Sequence, residues 1–171
     1  MKIAIKTLLF EGLSTALIGI LVWLPVFGAD TGTINASVTA SNAAISVTDG
    51  SVSYGTVAWS GESDTTSGQT QVATNDGSTA TFNIKSSQAT GGDGWTMASS
   101  IGTIDQFVHQ FSTTTVPSWV TFDLDPATYK TATTSVANSL SQDIDLKITV
   151  PDETTDFTPK SITVTVQAVA E

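Results

Sequence analysis

Two stretches near the C-terminal end set the terms for what this chain can fold into. Ile144, Leu146, Ile148 and Val150 alternate with Asp143, Asp145, Lys147 and Thr149. Ile162, Val164, Val166 and Ala168 alternate with Thr163, Thr165 and Gln167. A strict period of two puts apolar groups on one side of an extended strand and cannot form a helical face. Shorter alternations recur upstream: Ile34, Ala36, Val38 and Ala40; Ile45 and Val47; Val52, Tyr54 and Val57; Ala80, Phe82 and Ile84. Further on, Phe107, His109 and Phe111 share one expected strand face, and Val120, Phe122 and Leu124 another.

Turn residues separate these runs. Asp49-Gly50, Asn75-Asp76-Gly77 and Gly91-Gly92-Asp93-Gly94 are chain reversals by composition. Residues 128–140, dominated by Thr and Ser, have room for at most one short helical turn. The expectation is an all-β chain with eight to ten short strands. It reads as a single immunoglobulin-like β-sandwich with Greek-key connections, with a jelly roll as the alternative.

The N-terminus is set aside from the fold. Lys2 and Lys6 precede an apolar stretch from Leu13 to Leu24, and Val26 and Gly28 suit the −3 and −1 positions of a signal-peptidase site. Residues 1–28 are read as a signal peptide and residues 29–171 as the sandwich domain. An uncleaved anchor is the alternative and the only expected route to a membrane. Glu11, Gly12, Gly19 and Pro25 interrupt that apolar run. Cleavage leaves 143 residues, about a third of them Ser or Thr. The leader carries Lys2, Lys6 and Glu11, so its removal takes the net charge from −10 to −11.

Composition excludes several function classes. There is no cysteine, hence no disulfide scaffold, thiol chemistry or zinc–thiolate site. All six basic residues are lysines, too few for a nucleic-acid footprint or a polybasic membrane patch. His109, the single histidine, has Asp105 four residues earlier, but no Gly-x-Ser-x-Gly elbow accompanies them. No catalytic residue is assigned and the protein is expected not to be an enzyme.

Two constellations are candidates for binding. Asp123 and Asp125, with Asp143 and Asp145, are i, i+2 pairs, each pair on one strand face; together they are a candidate calcium site. The competing role is a solvated outer face that discourages edge pairing. Trp59, Trp95 and Trp119 lie beside loop residues and are candidates for an aromatic platform on which a polysaccharide stacks, against the competing role of core packing.

A family likeness rests on strand order. The leader is followed by Val52-Ser-Tyr-Gly-Thr-Val57, Ala73-Thr-Asn-Asp-Gly77, Phe82-Asn-Ile-Lys85 and Asp105-Gln-Phe-Val-His109, then by Leu146-Lys-Ile-Thr-Val150 and Val164-Thr-Val-Gln-Ala168. In this outline the chain resembles small secreted bacterial envelope sandwiches and matrix-fibre subunits of the TasA and camelysin type. The resemblance implies a cell-surface or extracellular-matrix location and partners that are copies of itself or other envelope proteins. It carries over no site residues. The expected function is a secreted structural or envelope protein, a fibre or matrix subunit; the alternative is a carbohydrate-binding or adhesive module.

Overall fold

The computed structural model describes residues 37–171 except 39 and 115. The expected leader and most of the first alternating segment lie outside the described residues. Thr39–Glu171 forms one compact unit, and its regular elements are all strands: β1 (Ile45–Thr48), β2 (Glu62–Asp64), β3 (Gln71–Asn75), β4 (Ala80–Ser86), β5 (Thr96–Met97), β6 (Gln106–Ser112), β7 (Val120–Thr121), β8 (Lys130–Val136), β9 (Ser141–Thr149) and β10 (Val164–Ala170). Among the described residues no helix is long and apolar enough to cross a membrane.

The strands form two sheets. In the larger, β9 is central: one edge pairs with β3 (Gln71 opposite Ile144) and, further along, with β2 (Glu62 opposite Thr149), while the other edge pairs with β6 (Phe111 opposite Leu146). β1 extends the sheet beyond β3, and β7 and the short parallel β5 extend it beyond β6. The smaller sheet has the order β10-β4-β8, antiparallel throughout.

Alternation explains the packing. Ala80, Phe82 and Ile84 of β4 are fully buried, as are Phe107 and Phe111 of β6 and Ile144, Leu146 and Ile148 of β9. They form one apolar cluster fed by both sheets, the arrangement that period-two strands reach when each sheet has one apolar face. β3 breaks the apolar rule on its inward side: Gln71 and Asn75 are buried on either side of Ala73. Asn75 is satisfied, its Nδ2 donating to Ser78 O (2.7 Å) and Val136 O (2.6 Å) and its Oδ1 accepting from Gly77 N (3.0 Å).

Three local expectations are corrected. Residues 128–140 hold β8 and no helical turn, because Thr131 and Thr133 find partners on β4 and β-branched residues suit that ladder. Val52 to Val57 is a loop, turned by Gly55 at φ 66°, although Val52 and Tyr54 still pack on the core. Leu124 is exposed and does not share an inward face with Phe122, because β7 ends at Thr121 and the chain turns at Asp125.

Phe82 stands at the centre of β4, opposite Ala168 of β10 and Thr133 of β8. Phe82→Ala is expected to lower stability by about 3–5 kcal/mol, since the two sheets cannot collapse onto the space it leaves. Urea denaturation of the variant beside the parent measures this.

Candidate functional site

A cleft of about 740 Å³ runs along the inward face of β9. Ile144, Leu146, Ile148 and Val150 form its floor; Val164 and Val166 of β10 stand on one side, Val47 and Val52 on the other. From Ile144 to Val150 the floor runs about 20 Å at ~3.3 Å per residue. Trp59 and Phe157 are both exposed, at 57% and 73%, and both line the cleft. Their rings stack at 6.1 Å between centroids and 17° between planes.

Hydrogen bonds fix the loops that carry these rings. Ser60 N donates to Pro151 O (3.1 Å) and Val150 N to Gly61 O (3.0 Å), which ties the Trp59 turn to the end of β9. Asp156 anchors the second loop. Its carboxylate is paired with Lys160 and accepts from Thr158 Oγ1 (2.7 Å), Thr158 N (2.9 Å) and Asp93 N (2.7 Å). The Lys160 ammonium, with these donors, holds the Asp156 carboxyl well below the usual carboxylate range. Gly92 adopts φ +56° there, and a Cβ at that position would collide with Asp156 Oδ2.

His109, 1% exposed, lines the cleft together with Tyr54. Nε2 is 2.8 Å from the Tyr54 hydroxyl and Nδ1 is 2.7 Å from Ser86 Oγ. Ser86 Oγ donates to Ser87 O (3.2 Å), which fits an Nδ1–H tautomer that donates to Ser86 while Tyr54 donates to Nε2. Phe122 lies 4.8 Å from the imidazole, centroid to centroid, and the Tyr54 ring meets it edge-on. Burial among these groups lowers the His109 pKa to about 4 and raises that of Tyr54. The imidazole is therefore neutral at pH 7. With Nδ1–H donating to Ser86, its lone pair on Nε2 faces Tyr54 and not Ser86, and Ser86 is itself 1% exposed and does not line the cleft. Asp105 does not join it: that carboxylate accepts from Thr154 Oγ1 (2.5 Å) instead.

The four aspartates are not gathered. Among the described residues no group of three or more His, Asp or Glu is placed to hold a metal ion. Asp123 accepts from Asp125 N (3.1 Å) and Asp125 from Ala127 N (2.9 Å), so both close their own loop. Asp145 accepts from Thr65 Oγ1 (3.1 Å) and Thr70 Oγ1 (2.6 Å), while Asp143 is exposed one register pair away from Ile144.

Of the three tryptophans, Trp59 and Trp95 line the cleft. Trp95 is half-buried, donates Nε1–H to Thr154 Oγ1 (3.2 Å) and packs on the core. Trp119 is half-buried under Lys147, whose Nζ lies 5.3 Å from the ring centroid, and it does not line the cleft. Trp59 alone presents an open ring, with Phe157 as a partner that sequence reasoning missed. Tyr54, Ser86 and Gln71 were missed too. The polar Gln71 and Asn75 at alternate positions around Ala73 were the available signal, since a polar residue at an inward register must find a partner.

No protein-family model, no curated protein and no solved structure matches the chain.

Protonating His109 gives a pH dependence with a definite sign. The folded pKa of about 4 lies below the ordinary histidine value of 6.5, so the unfolded chain binds the proton more readily. Stability from this group is complete above about pH 6.5 and is lost as pH falls toward 4, by on the order of 3 kcal/mol. Melting curves between pH 7 and 4 should show that loss, and His109→Gln, which cannot titrate, should lose that part of the slope.

Proposed function

We propose that the protein is an exported, non-enzymatic structural protein of the cell surface or extracellular matrix, a fibre subunit in which a strand of one copy adds to the next. The observation that carries this reading is the apolar cleft open beside β10. That strand pairs only with β4 among the described residues, so its other edge offers a row of backbone donors and acceptors. An extended segment laid there can bond to β10 and place every second side chain over Ile144, Leu146 and Ile148. Residues 33–40 have the matching period, in Ile34, Ala36, Val38 and Ala40, and span about 23 Å at ~3.3 Å per residue. Val38 is 95% exposed.

The rest of the reading is consistent with this. The leader read at residues 1–28 directs export, and its cleavage after Gly28 brings the alternating segment close to the new N-terminus. We read the two sheets as an immunoglobulin-like Greek-key sandwich, in which non-consecutive strands such as β3, β9 and β6 become neighbours. Strand addition is heterologous and need not close, so repetition gives an open filament. The likeness to TasA and camelysin-type subunits points the same way. Burial of Ser86 weighs against a nucleophilic role for the Ser86–His109 pair.

Deleting residues 29–40 tests the proposal. The mature protein is expected to form filaments in electron micrographs, and the trimmed protein to stay folded and monomeric. If the segment instead closes its own domain, the deletion costs several kcal/mol and the mature protein stays monomeric at high concentration.

A second reading is favoured by Trp59 and Phe157. Two exposed, near-parallel rings at the cleft mouth have the geometry of a platform for the C–H faces of neutral sugar rings. In that case Trp59→Ala abolishes retention on insoluble polysaccharide while the melting temperature stays within a few degrees, because Trp59 is outside the core. Equal retention of parent and variant removes the platform role.

A further inference from the structure

Gln71 is 6% exposed, on the inward register of β3, and lines the cleft. Its Nε2 donates to Gln69 O (3.0 Å) and Ser51 O (3.3 Å). Those two carbonyls fix the amide orientation, since an oxygen in that place would face two acceptors. Oε1 is therefore held away from them, and it has no hydrogen-bond partner. It is the one buried side-chain polar atom in that condition among the described residues. A buried acceptor without a donor is destabilising, and an incoming group that supplies the donor recovers that loss on binding.

The surroundings make this acceptor selective. Ile144 lies directly opposite Gln71 in the ladder, and Val47, Val52, Leu146 and Val166 line the same cleft. An apolar trough rejects a one-residue slip of an alternating strand, because the slip turns every apolar side chain outward. It does not reject a two-residue slip, which returns the same face: Ile34, Ala36, Val38 and Ala40 repeat at that spacing. A single fixed acceptor does distinguish such slips. In a strand bonded to β10, alternate backbone N–H groups point away from β10, and Gln71 lines the same cleft as Val164 and Val166 of β10.

We propose that Gln71 Oε1 is the register lock of the cleft: it accepts one backbone N–H of an extended segment from a second copy and so selects one of several apolar-equivalent alignments. This rests on the strand-addition reading above. A lone buried polar group setting alignment at some expense of stability has the same logic as a buried asparagine in a coiled-coil seam.

The test uses the full mature chain with Ile34→Asp and Val38→Asp, which stops its own segment from competing. The probe is a fluorescent peptide of residues 31–40, with a series in which one backbone amide at a time is replaced by an ester. Fluorescence anisotropy should show one ester position, directed away from β10, that weakens binding by about tenfold. Gln71→Leu in the same chain should weaken the all-amide peptide by a similar factor and should no longer distinguish that ester. Gln71→Met, nearer in shape, replaces it if circular dichroism shows Gln71→Leu unfolded. Binding that ignores both the ester position and the Gln71 substitution overturns the lock and leaves strand addition standing. Absence of binding to every peptide overturns both.

Discussion

A neutral imidazole holds the three parts of this domain in register. His109 belongs to β6 in the larger sheet, Ser86 ends β4 in the smaller one, and Tyr54 comes from the loop that walls the cleft. Two apolar faces pressed together have no strong preference for one sliding position, since dispersion and burial are non-directional. The bonds from His109 supply direction. They are made in an apolar surround of Phe107 and Phe122, where a hydrogen bond is strong and an unpaired partner is costly. Neutrality is the condition: a protonated ring has two donors and no acceptor, so the Tyr54 hydroxyl loses its present role. The same burial that makes the clamp directional also makes it sensitive to acid.

The clamp is part of the cleft. Tyr54 is bonded to His109, and both line the cleft together with Ile144, Leu146, Ile148 and Val150, which are themselves buried. The opposite rim is held by Asp156, whose bonds to Lys160, Thr158 and Asp93 N use both carboxylate oxygens. The Lys160 side chain in that rim is itself buried and paired, so the rim is pre-organised and an occupant has little ordering to supply.

The sequence made the strands legible where apolar residues alternate, and illegible where pairing decides. β4, β6, β9 and β10 follow from their own residues. β8 does not, because Thr-rich residues 130–136 become a strand only by lying beside β4. The face shared by Phe107, His109 and Phe111 was readable, and all three are buried. The partners of His109 were not, since Tyr54 and Ser86 are brought to it by topology while Asp105, nearest in sequence, turns to Thr154. The aspartate pairs were visible as pairs, but spacing along one strand carries no information about what faces it across a loop. Asp123 and Asp125 spend their oxygens on local backbone donors. The exposed aromatic pair was half readable: Trp59 stands out by its loop, and Phe157 is distant in sequence.

The edges of the two sheets differ in how they are protected, and this bears on which one an incoming strand would meet. β2 is short and carries Glu62 and Asp64, with Lys147 paired to Glu62. β5 and β7 have two residues each. β1 has four residues, followed by the tight turn at Asp49 with φ 70°. β8 has Lys130 at one end and shifts register against β4 near Ser135, which sits at φ 55°. Short length, charge and bulges are the devices by which sheets avoid joining one another. β10 has none of them: it is seven residues long, has no charged side chain from Val164 to Ala170, and keeps an unbroken register with β4. The unprotected edge is also the one whose Val164 and Val166 line the cleft. An edge left regular and uncharged in an otherwise acidic chain, directly beside an apolar cleft, is a hazard to a protein that must remain monomeric and an asset to one that polymerises.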